Sequence, residues 1–197
     1  MKNIIKLFLA LALILTSANA LKKDDIKTQM SQKIDSALVI LKNKEIKKEE
    51  KAQDIMNLID DVFDYNVMAR IALGKKTWKS LSSEKKAEFV EVFENKLKNS
   101  YVDKLELYTD QKVKINDLVP YKKSRLQLQS EVVGSDESYI INYNFYKNKK
   151  LNEWFIYDVD LLGISIIQTY RKQFSGLLKE KSFDEMLELL KANNTQK

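Results

Sequence analysis

The chain has no cysteine and no histidine, one proline and four glycines among its 197 residues. Without cysteine no disulfide can brace the fold, so stability has to come from the core. The two absences together remove the Ser-His-Asp triad, the cysteine nucleophile and the histidine or cysteine zinc sites, and with them most familiar hydrolase chemistry. Phosphate-cradling loops are missing as well. Gly74-Lys75-Lys76-Thr77 has the ending of a P-loop, but Ala69 stands where the first glycine belongs. Gly163-Ile164-Ser165 lacks the second glycine and the histidine partner of a nucleophile elbow.

What is present begins with a leader: Lys2 and Lys6, an apolar run over residues 7–15, then Ala18-Asn19-Ala20. This pattern predicts a cleavable signal peptide over residues 1–20 and export of the remainder. The apolar run is shorter than the roughly 20 residues of a bilayer crossing, and Lys22-Lys23-Asp24-Asp25 is no stop-transfer signal. No cysteine follows the cleavage point, so no lipidated N-terminus is expected. Residues 21–197 fit one domain with a sizeable core. The whole chain carries a formal charge of +6; two of the lysines lie in the leader, which leaves +4. These charges are scattered among acids, a solvated surface with mild attraction to anionic membranes rather than a nucleic-acid stripe.

Helical periodicity opens this domain. Over residues 24–43, Ile26, Met30, Ile34, Leu38 and Leu41 recur every three or four positions. A second stripe runs through Ile55, Leu58, Ile59, Val62 and Phe63, and a shorter one covers residues 66–73 with Gly74 as its stop. Ser82 serves as N-cap for a long helix with Phe89, Phe93, Leu97, Tyr101, Leu105 and Tyr108 along one side. From residue 109 the period becomes two, predicting strands at residues 112–116, 125–133, 139–146 and 151–159. Their connections are too short for parallel crossovers, so the strands are antiparallel. Ser165 with Gln168, and Ser182 with Glu185, are spaced as capping boxes for two final helices. The order predicts an α+β fold with helices on one face of a curved four-stranded antiparallel sheet.

Two stretches carry a resemblance. One is Phe63-Asp64-Tyr65-Asn66-Val67-Met68-Ala69-Arg70-Ile71-Ala72-Leu73-Gly74, followed by Trp78, Leu81 and the helix with Phe89, Phe93 and Tyr101. The other is Trp154-Phe155-Ile156-Tyr157-Asp158-Val159, continuing through Gly163-Ile164-Ser165 to Tyr170-Arg171-Lys172-Gln173-Phe174. In this order and spacing the chain resembles the MlaC, or toluene-tolerance, family of periplasmic phospholipid-binding proteins. It departs from the family pattern at Leu162, where a polar residue is common, and at Thr169, where asparagine is frequent. The resemblance implies a nuclear-transport-factor-like fold with a deep apolar pocket. It also implies a non-enzymatic carrier in the periplasm that takes phospholipid as cargo, needs no cofactor, and passes lipid between an outer-membrane lipoprotein complex and an inner-membrane ATP-driven transporter. A monomer is expected.

Hiding two acyl chains of about 30 methylenes is worth on the order of 20 to 25 kcal/mol, so such a carrier needs a dry cavity of about 1,000 Å³. Candidate lining residues are Met68, Ile71, Leu73, Trp78, Phe93, Leu97, Tyr101, Tyr143, Phe145, Tyr157, Val159, Ile164, Ile167 and Tyr170. Each has an ordinary core role as its alternative. Arg171 is the candidate for the lipid phosphate, because a guanidinium chelates two oxygens; a surface salt bridge is the competing role. Asp158 and Asp160 suggest acid-base chemistry less than helix capping or a solvated strand end. Two other function classes stay open at this point: an isomerase using Asp158 beside Tyr157 in a pocketed fold, and a periplasmic chaperone or adaptor.

Overall fold

The computed structural model describes residues 21–102, 110–122, 124–134 and 137–195, except the side chains of residues 101, 102 and 195. The expected signal peptide lies outside these residues. Among the described residues, seven α-helices and five strands follow one another as α1 (Ile26–Lys42), α2 (Lys48–Ile59), α3 (Tyr65–Leu73), α4 (Lys75–Ser80), α5 (Ser83–Val102), β1 (Lys112–Pro120), β2 (Arg125–Val133), β3 (Ser138–Asn148), β4 (Glu153–Leu161), β5 (Ile164–Ser165), α6 (Ile166–Glu180) and α7 (Phe183–Thr195). A 3-10 turn, Asp60–Val62, joins α2 to α3. Among the described residues no helix is long and apolar enough to cross a membrane.

Helix ends are set by local side chains. Ser82 Oγ accepts from the Lys85 amide at 3.3 Å at the start of α5. Ser182 and Glu185 form a complete capping box at α7, the amide of each residue donating to the other's side chain. At α6 the arrangement is one-sided. Ser165 Oγ accepts from the Gln168 amide at 3.0 Å, and the Ile167 amide donates instead to Asp158 Oδ1 at 3.2 Å. Gly74, with φ of +88°, ends α3 and at once starts α4, so the glycine is a corner rather than a stop.

The strands pair in the order β1-β2-β3-β4-β5, every neighbour antiparallel. Alternation along β2 buries Leu126, Leu128, Ser130 and Val132 on one face. Phe145 and Tyr143 on β3 lie opposite Leu126 and Leu128 and extend that face. The opposite face carries rows of amides. Asn116 donates to Gln129 and Gln129 to Asn142, at 2.8 and 3.2 Å, while Gln127 donates to Asn144 at 2.9 Å. A bulge at Tyr157 shifts the β3–β4 register between Asn144 and Phe145.

Two apolar cores result. One joins α3, α5, α6 and α7 through a cluster of rings, with Phe93 edge-on to Tyr170 at 5.3 Å and Phe89 edge-on to Phe174 at 5.7 Å. The other packs Leu21, Ile26, Met30 and Val62 against Leu126, Leu128, Phe145 and Ile156 of the sheet. Phe63 packs against both cores.

The expected curved four-stranded, nuclear-transport-factor-like sheet over a deep apolar pocket is corrected on two counts. The sheet is open and five-stranded. Leu162 and Gly163, with φ of +53° and +78°, make a two-residue turn that folds Ile164 and Ser165 back as β5. The sequence hides this turn, because leucine is a poor left-handed residue. The space between sheet and helices is small, about 240 Å³, because several side chains expected to line a pocket fill the two cores. β1 is also longer than residues 112–116: it continues past an irregularity between Ile115 and Leu118 to Pro120, which occupies the edge strand's last position.

Candidate functional site

The cavity lies where the sheet leaves one core and the helices leave the other. Its sheet wall is a tile of four side chains, since Ile141 pairs with Leu161 and Tyr143 with Val159 across β3 and β4. Alternation puts all four on the same face. Its helical walls come from α2 (Met56 and Ile59), α3 (Tyr65 and Met68), α5 (Leu97 and Lys98) and the first residue of α6, Ile166. Met56 with Ile59, and Tyr65 with Met68, are three apart and therefore share a helix face. Phe63 closes the junction, its ring stacked on Tyr65 with centroids 5.7 Å apart.

Among the described residues Lys98 is the one charged residue in this lining. Its ammonium is 2.5 Å from Asp60 Oδ2 and 2.7 Å from Glu94 Oε1, and lies 5.0 Å from the centre of the Tyr65 ring. Burial opposes the charge on Lys98, but the hydrogen bonds to Asp60 and Glu94 outweigh it and raise the ammonium's pKa. The Tyr65 hydroxyl donates to the other oxygen of Asp60 at 2.8 Å. Burial first, then this bond, pushes the Tyr65 pKa far above its ordinary value, so the phenol stays neutral. The cavity is thus greasy throughout and ends at a polar rim of Lys98, Asp60, Glu94 and the Tyr65 hydroxyl.

Asp64 fixes the helical wall to the sheet. Its Oδ1 caps α3 by accepting from the Val67 amide at 2.9 Å, and its Oδ2 accepts a hydrogen bond from the Tyr146 hydroxyl on β3. Its own amide donates to the Ile156 carbonyl of β4 at 3.0 Å. On the same side of the sheet Arg125 lies over Tyr157 at 4.1 Å and over Tyr146 at 5.5 Å.

Four of the residues singled out from sequence line the cavity: Met68, Leu97, Tyr143 and Val159. Leu73, Phe93, Ile167 and Tyr170 are buried in the helical core, with Ile71 and Trp78 packed on it, and Phe145 is buried in the sheet core. Tyr157 stacks under Arg125, Ile164 is 65% exposed at the β4–β5 turn, and Arg171 is exposed on α6 outside the lining. The side chain of Tyr101 lies outside the described residues. Sequence reasoning passed over Met56, Ile59, Phe63, Tyr65, Lys98, Ile141, Leu161 and Ile166 as lining. The alternation that flagged Tyr143 and Val159 also marks Ile141 and Leu161, two residues along on the same face.

Asp158 does not line the cavity. Its Oδ2 accepts from Ser165 Oγ at 2.6 Å and its Oδ1 from the Ile167 amide, so both oxygens hold the start of α6. Burial raises its pKa against these bonds. Among the described residues no group of three or more acidic side chains could hold a metal ion. The arrangement can shelter an apolar chain and meet a polar group at one end.

Comparison with known proteins gives three findings. The family model described as MlaC protein matches residues 31–192. A curated relative, the intermembrane phospholipid transport system binding protein MlaC of Haemophilus influenzae, is 20% identical over 122 residues, which is 60% of this chain and 57% of that protein. The chain therefore aligns with little more than half the length of that relative. A solved structure of a phospholipid-binding protein from Ralstonia solanacearum, in complex with a phospholipid, has a TM-score of 0.72 at 20% identity, covering 86% of this chain and 97% of that one. At that identity the likeness is one of fold.

Proposed function

This chain belongs to the MlaC family, and we propose that it is a phospholipid carrier of the periplasm, binding lipid without transforming it and passing it between outer-membrane and inner-membrane transport complexes. The observation that carries the reading is the cavity between sheet and helices: among the described residues, a lining of aliphatic, methionine and aromatic side chains in which Lys98 alone is charged. The relatives bearing phospholipid in their names, one of them holding a phospholipid in its structure, support the same reading.

At about 240 Å³ the cavity falls below the roughly 300 to 1,000 Å³ of ordinary ligand sites and is too small for two tails. Loading therefore requires the walls to part. The seam between the two cores is where they part most cheaply, because Phe63 packs against both clusters while most other core side chains stay within one. Tails entering there meet Met56, Ile59, Met68 and Leu97 on one side and the four-residue tile of β3 and β4 on the other. Each buried methylene returns about 0.8 kcal/mol, which offsets the widening. A bilayer shelters the same tails equally well, so net direction has to come from the complexes that give and take the lipid.

Solvent extraction of the purified protein, followed by mass spectrometry, tests this directly. Phospholipid at up to one molecule per chain is the expected result. Protein that carries no phospholipid, and takes up none from vesicles, would sink the reading. The isomerase alternative has no support in the site, because Asp158 is engaged through both oxygens and is not part of the cavity wall.

A further inference from the structure

The polar rim carries information about which lipid fits. Among the described residues it brings together one ammonium, Lys98, and two carboxylates, Asp60 and Glu94, an excess of one negative charge. Their side chains are 20%, 36% and 31% exposed, so the group stands between the apolar cavity and water. Lys98 has three N–H donors and spends two of them on Asp60 and Glu94. Beside them the Tyr65 ring offers its face to a cation and anchors Asp60 through its hydroxyl.

A phospholipid whose tails lie in the cavity has to place its phosphate at this rim, because only a glycerol separates the two. Lys98 is the cation in the lining that can receive it. An ammonium that turns toward a phosphate loosens its hold on Asp60 and Glu94, and two half-buried carboxylates are then short of a counter-charge. A headgroup ending in an ammonium supplies that charge; one without it adds a negative charge to a rim already in excess. Resting on the carrier reading above, we infer that the cavity mouth favours phospholipids with an ammonium headgroup, of the ethanolamine or choline type, over phospholipids whose headgroup is only anionic. Lys98 takes the phosphate, and Asp60, Glu94 and the Tyr65 face take the ammonium.

The test uses lipid-stripped mature protein mixed with vesicles of equimolar phosphatidylethanolamine and phosphatidylglycerol bearing the same acyl chains. The protein is separated from the vesicles and its bound lipid extracted and counted. About a tenfold enrichment of phosphatidylethanolamine is expected, which corresponds to about 1.4 kcal/mol. It should shrink toward unity in high salt, where exposed charges are screened. Glu94→Gln alone, and together with Asp60→Asn, should lower the ratio stepwise, with total bound lipid and the unfolding midpoint checked in each. Equal uptake of the two lipids by the wild type, or a ratio that Glu94→Gln leaves unchanged, would overturn the inference while leaving the carrier reading intact. Uptake of neither lipid would overturn both.

Discussion

Asp64 joins three elements through one residue: it caps α3, receives the Tyr146 hydroxyl from β3 and donates its amide to β4. Replacing it with alanine removes the cap and the Asp64 partner of the Tyr146 hydroxyl, and should cost about 2 kcal/mol in urea denaturation. Asp64→Asn keeps an acceptor for the Val67 amide and should cost less than half of that. Asp158 makes a prediction of the opposite kind. Burial raises its folded pKa above the unfolded value, so its contribution to stability is fully present below the ordinary aspartate pKa and is lost as pH rises through the folded value. The stability of the wild type relative to Asp158→Asn should therefore fall with rising pH across that window. Unfolding free energies at several pH values would check the slope, and a difference that grows with pH would contradict the assignment. Roles of this sort were partly legible beforehand. Asp158 as a capping group follows from a carboxylate at the end of a strand just before a helix, whereas Asp64 reaching Tyr146 joins positions 82 apart in sequence and leaves no local signal.

At the level of elements, periodicity and caps located most of the helices, because both depend on neighbours within four residues, although α2 ends at Ile59, before the Val62 and Phe63 of its stripe. Ser82, Ser165 and Ser182 all accept the amide hydrogen bonds that their positions imply. What stayed hidden depends on backbone conformations that the residue type does not advertise. Leu162 adopts φ of +53° in the turn before β5, where asparagine or glycine would be at ease. Leu162→Asn should raise stability by about 1 kcal/mol, and its exposed side chain means that nothing packed is lost. A fall in the unfolding midpoint would show that the leucine makes a contact its 67% exposure does not suggest. The short helix α4 was concealed for a related reason. Gly74 reads as a terminator, yet an extended ψ of 149° after its positive φ lets the chain turn and begin a new helix directly.

The molecule as a whole is two greasy cores with a narrow gap between them, and Phe63 spans that gap. Phe63→Ala removes a ring that stacks on Tyr65 and touches both cores; about 3 kcal/mol of stability should go with it, read from chemical denaturation. The same change should speed lipid uptake from vesicles, because the helical and sheet halves part more readily. Slower uptake by a folded variant would argue against loading through this seam. The division explains why the cavity wall was harder to foresee than the fold. A hydrophobic stripe shows which side of a helix avoids water, but not which of two interiors receives it. Phe93 and Tyr170 meet in one, Phe145 lies in the other, and Leu97, one turn along from Phe93, faces the space between. The amide rows on the outer face of the sheet have a consequence of their own. They act as a vernier for strand alignment: sliding β3 by one position would carry Asn142 and Asn144 in among Leu126 and Leu128, and sliding it by two would separate Gln127 from Asn144 and Gln129 from Asn142. A chain with no crosslinks to hold its threads in step thus has a mismatch penalty written across the amide face of its sheet.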